Sequence, residues 1–117
     1  MEKHILFFEN LKRIKDYWVN VSSDSLKPNA NLIWSNQEDA FRALQTKLVD
    51  NADVEAFRKV QEDTIRGVLH SILVMIDGGD ELADKLKLDL VDESTKQSIK
   101  ERIALHEEFI GYLIDAE

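Results

Sequence analysis

The residues whose types could do chemistry fall in two places. One is His70 with Ser71, set in the stretch "GVLHSILVMIDGGDELADK" (67–85); the other is "LHEEF", which holds His106, Glu107 and Glu108. Imidazoles near carboxylates such as Asp63, Asp77, Glu107 and Glu108 suit metal ligation or general-base work. The sharpest enzyme they would make is a small metal-dependent hydrolase using His70, His106 and Glu107. Each signal has a plainer reading. "HEEF" lacks the second histidine, four residues on, of the two-histidine metalloprotease helix. Both histidines occupy apolar faces, where an imidazole is usually hydrogen-bonded within the core. Ser71 follows His70 directly, and adjacent helical residues point about 100° apart, so the two do not form a nucleophile–base pair. Ser71 also lacks the strand-turn-helix setting of a nucleophile elbow.

"DGGDELAD" gathers Asp77, Asp80, Glu81 and Asp84, but without the alternating oxygens of a calcium loop. It follows a helix, whereas phosphate cradles precede one. Two glycines there read as a helix stop. With no cysteine in the chain, disulfides, thiol nucleophiles and thiolate metal sites are excluded. No catalytic residue, cofactor or metal is therefore assigned, and a non-enzymatic role is expected.

Charge is unevenly placed along the 117 residues. Residues 1–60 balance nine Lys/Arg against nine Asp/Glu; residues 61–117 hold six against fourteen and so carry the whole net charge of −8. Such a half repels nucleic-acid phosphates and speeds encounter with basic proteins. The plainer reading is that net charge keeps the domain soluble. The start, "MEKHILFFENLKRIKDYW", has four consecutive apolar residues before Glu9, too few for a signal peptide or membrane span. A soluble cytoplasmic protein that binds neither nucleic acid nor membrane is expected.

These residues need elements to hold them. At 44% hydrophobic, with one proline and four glycines, the chain suits one helix-rich domain over residues 1–117. Phe7, Leu11, Ile14 and Trp18 make one helical stripe. "NLIW" (31–34) reads as a short strand, and Ser35 with Glu38 as a capping box before a second helix. A third helix, capped by Asn51 or Asp53, runs to Asp77 and stops at Gly78 or Gly79. It carries apolar residues on two sides, as a central core helix would. In "KLKLDLV" the period changes to two, which reads as a half-buried strand. From there the chain either turns into a second strand or caps the last helix with Ser94 and Gln97. The last helix runs through Ile99, Ile103, His106, Ile110 and Leu113. The expected fold is α+β, mainly α: a four-helix core with a short β-hairpin between the third and last helices.

Gly67 and Gly111 lie inside the third and last helices, where glycine is costly unless another backbone comes close. The two helices are expected to cross at these glycines, bringing His70 within reach of His106 or Glu107.

The strings "HSILVMIDGGDELADK", "LVDE" and "LHEEFIGYL" resemble a group of small bacterial proteins. That group shares an apolar helix ending in Asp-Gly-Gly and a C-terminal Leu-His-Glu-Glu-Phe helix; the resemblance covers roughly residues 57–114 and implies no particular activity. In size and acidity the chain is also similar to immunity proteins, the acidic inhibitors that protect bacteria from their own toxins. This likeness implies a protein partner and carries over no residue. The leading expectation is a binding or regulatory protein whose acidic second half docks on a basic partner through Asp80, Glu81, Asp84, Asp92 and Glu93. A homo-oligomeric structural protein is a third alternative.

Overall fold

The computed structural model describes residues 2–117. Four α-helices, α1 (Lys3–Asp24), α2 (Glu38–Lys47), α3 (Asn51–Ile76) and α4 (Leu105–Ala116), follow in chain order, with a 3-10 turn at Glu81–Asp84 between the last two. Contacts group the chain into two compact units: the residues up to Arg13 with Arg66–Glu117, and Ile14–Ile65. Both α1 and α3 contribute to each.

In the first unit, Phe8 of α1, Leu73 of α3, and Leu105, Phe109 and Leu113 of α4 form the buried core. The α4 residues recur every fourth position and so share one face. The Phe8 ring lies 5.2 Å from that of Phe109 and 5.9 Å from that of Tyr112. Ile99 and Ile103, expected on the last helix, lie in turns before it, because Arg102 adopts a left-handed φ of 63° that no helix continues through. Ile110, expected inside, is 40% exposed. Nor is α3 buried on two sides. Leu69, Leu73 and Ile76 meet the core, while Gly67, Val68 and Ile72 face outward.

The expected β-hairpin is absent: the described residues form no strand or sheet, and 64% of the structure is helix. The chain does turn back on itself, with Asp92 N–H donating to the Gln97 carbonyl (2.9 Å) and Ile99 N–H to that of Leu90 (2.7 Å). This makes a single antiparallel bridge, Val91 to Ser98. Asp92 ends the pairing locally. Its carboxylate accepts the Ser94 amide at 2.9 Å, and Lys96 takes a left-handed φ of 63° to complete the turn. Leu88 and Leu90 are half-buried as the alternation predicts, but Leu86, on the same side of the pattern, is 54% exposed, and no ladder lies beside them.

The helix stop is where glycine chemistry puts it. Gly78 has φ +79°, its N–H reaches the Met75 carbonyl at 3.1 Å, and Gly79 N–H reaches that of Val74 at 2.9 Å. That pair of bonds is a Schellman closure, satisfying carbonyls the helix leaves free.

In the second unit, Val19, Leu26 and Leu32 are buried. Trp18 and Ile14, placed inside by the sequence stripe, are 43% and 36% exposed, and Lys15 is buried instead. "NLIW" is a turn, not a strand, because the Asn31 side chain takes the Ile33 amide at 2.9 Å and folds the backbone locally. The capping box is not made. Ser35 Oγ accepts the Gln37 amide (2.9 Å), and Glu38 points along its helix toward Arg42 at 3.5 Å. Asp50, one residue ahead of Asn51, caps α3 by accepting the Asp53 amide at 2.9 Å.

Candidate functional site

The first unit brings His70, Asp77 and His106 together. His70 and Asp77 are seven residues apart on α3 and its end, hence on one face. His106 opens α4. One oxygen of the Asp77 carboxylate accepts the His106 backbone N–H at 2.9 Å and lies 2.6 Å from its ring Nδ1. The His70 ring stands edge-on to that of His106, with centroids 5.5 Å apart. His70 therefore does come within reach of His106, as expected, though not for the expected reason. A Cβ on Gly67 or Gly111 would meet nothing within 4 Å, so the helices do not close on bare backbone there. The bonds that do join α3 to α4 here are those of Asp77, at the end of α3 away from Gly67, to the His106 backbone N–H and ring.

Asp77 explains the local geometry. The residue before α4 is Ala104, which offers no side-chain cap. The free amides at that helix start need an acceptor, and an anion there also meets the positive end of the helix dipole. Asp77 supplies both from the preceding helix. Burial pushes its carboxyl up, but this is outweighed by the His106 backbone and ring bonds, the Leu105 amide and the imidazole charge. The net effect holds it below the ordinary 3.8. Lys100 complements the arrangement by donating to the Ile76 carbonyl at 2.7 Å, placing a cation at the C-terminal end of α3.

With Nδ1 committed to Asp77, the free nitrogen of His106 is Nε2, which lies 4.0 Å from Glu107 Oε1. Such an imidazole is oriented as a base would be. Among the described residues, His70 Nδ1 and Asp77 Oδ1 are buried without a hydrogen-bond partner. No three His, Asp or Glu side chains among those residues converge as metal ligands. Ser71 faces outward.

The expected docking residues divide. Asp80 caps the 3-10 turn by accepting the Leu82 amide at 3.1 Å, and Glu81 and Asp84 project from that turn into solvent. Glu93 is exposed as well. Asp92 is committed: Lys3 Nζ lies 2.8 Å from its Oδ2, and Lys3 also donates to Thr95 Oγ1 at 2.8 Å. The Lys3 bond and the Ser94 amide, with the Thr95 amide and the Lys3 charge behind them, lower the Asp92 carboxyl against the opposing effect of desolvation. Asp92 thus fastens the start of α1 to the 92–98 turn.

Sequence reasoning missed the Asp77 cap and the buried Lys15. The Lys15 Nζ lies 2.6 Å from Glu62 Oε1 and 2.8 Å from Asp16 Oδ1, with the side chain 1% exposed. Neither arrangement leaves a local signal, since Asp77 and His106 are 29 residues apart and Lys15 and Glu62 are 47 apart.

No helix among the described residues is long and apolar enough to cross a membrane. Comparison with known proteins found no matching family model, no matching curated protein and no matching solved structure.

Proposed function

We propose that the chain is a non-enzymatic binding protein whose acidic second half docks on a basic protein partner, with an immunity-type inhibitor as its sharpest form. The supporting observation is the turn at Glu81–Asp84. Its backbone is fixed by the Asp80 cap, and it holds Glu81 and Asp84 in solvent with no cation of their own among the described residues. Carboxylates preset in this way lose little freedom on pairing with partner Lys or Arg. The contact set is Asp80, Glu81, Asp84 and Glu93. Asp92 leaves it, because recruiting Asp92 would cost its bond to Lys3. Against a nuclease toxin, these groups would stand where substrate phosphates stand.

The test is reversal of Asp80, Glu81 and Asp84 to lysine. A basic partner co-purified from the native source should lose at least ten-fold in affinity, mostly through slower association, and its salt dependence should flatten. Unchanged affinity and salt slope would remove the acidic segment from the interface. The rival, a metal-dependent hydrolase using His70, His106 and Glu107, draws on the oriented His106 imidazole. Zinc or manganese near one equivalent in purified protein, lost in His106→Ala, would favour it.

A further inference from the structure

We propose that the groove between α1 and α4 receives a lysine or arginine side chain of a protein partner. The proposal rests on the basic-partner reading above and names a second point of contact. The groove lies wholly within the first unit and has a volume of about 390 Å³. Ile5 and Phe8 of α1 line it from one side, and Tyr112 of α4 from the other. Along α4, Glu108, Gly111, Tyr112 and Asp115 fall at spacings of three, one and three, so they run in one line beside this apolar floor. Glu107 completes the rim.

The charge complementarity is one-sided. Three carboxylates line the groove and no lysine or arginine does. Glu108 and Asp115 are exposed and pair with no cation among the described residues. A long cationic side chain fits this chemistry in both its parts. Its methylene stem covers apolar surface while its head stays at a polar rim, and a tyrosine face attracts the cation further.

Gly111 adds an independent argument. Glycine inside a helix is unfavourable relative to alanine. Nothing in the fold requires it here, because a Cβ would meet nothing within 4 Å. Yet Gly111 sits on the groove wall, where the lack of a side chain leaves room for an incoming chain to approach the α4 backbone.

The experiment titrates the full chain with acetylated hexa-arginine amide and follows the backbone amides by NMR. Saturable shifts are expected at Glu107–Asp115. Gly111→Leu, which fills the groove, should weaken binding at least ten-fold while melting no lower than the parent. Gly67→Leu, on the exposed side of α3 outside the groove, should leave binding unchanged. Absence of binding, or equal affinity of the Gly111→Leu variant and the parent, overturns the proposal. So do concentration-dependent shifts at these amides without peptide, which would make a second copy the occupant. Shifts confined to Asp80–Asp84 and abolished by the triple reversal would overturn the groove and leave the acidic docking segment standing. Groove binding that Gly111→Leu weakens, alongside a native partner insensitive to the triple reversal, would do the opposite.

Discussion

Asp77 and His106 are joined twice through one oxygen: Oδ2 accepts the His106 backbone N–H at 2.9 Å and sits 2.6 Å from its Nδ1. The carboxylate is therefore both the missing cap of α4 and the partner of its first polar side chain. This links the end of α3 to the start of α4 and fixes the angle at which Leu105, Phe109 and Leu113 enter the core.

Asp77→Asn should cost about 1.5–3 kcal/mol, the range for hydrogen bonds to a charged group. The pH dependence has a definite sign. The Asp77 carboxyl is lowered in the folded state. Its contribution is thus full above the ordinary carboxylate value of 3.8 and is lost as pH falls through the lower folded value. Urea unfolding from pH 7 to pH 2 should show the gap between parent and Asp77→Asn closing below about pH 4. A gap that stays constant to pH 2 would mean that Asp77 acts by shape and not by charge.

What could be read from the chain follows the range of each interaction. The Gly78 stop was legible because a left-handed glycine and its two bonds lie within six residues. The facing stripe of α4 was half legible: Leu113 was found, but Arg102 broke the helix that would have carried Ile99 and Ile103. The hairpin was misread because Leu86, Leu88 and Leu90 satisfy an alternation that an extended segment shares with a strand. Only a partner distinguishes the two, and here pairing stops at one bridge. The burial of Lys15 was not legible, because nothing near it in sequence announces Glu62.

Lys15 and Glu62 provide the second prediction. Removing Glu62 as Glu62→Leu leaves the buried ammonium with one fewer carboxylate, and the cost should be about 3 kcal/mol, as for other broken buried pairs. Lys15→Met keeps the stem volume and removes the charge. Glu62, with its side chain 32% exposed, can then turn to water, so the loss should stay under about 1.5 kcal/mol. The two variants should therefore rank in that order in thermal and urea unfolding. The reverse order would show that Lys15 gives the second unit more than it costs to bury.

Gly67 provides the last. Were α3 and α4 closed on their glycines, a larger residue would overpack the crossing and destabilise by about 1–3 kcal/mol. Open space at both positions reverses the expectation. Gly67→Ala and Gly111→Ala should each stabilise by about 0.5–1 kcal/mol, since alanine is the better helix former and restricts the unfolded chain. The positions lie on different helices and share no contact through a Cβ, so the double variant should approach the sum. Chemical denaturation of the two singles and the double measures this directly. A destabilised alanine variant at either position would place a neighbour against that glycine after all.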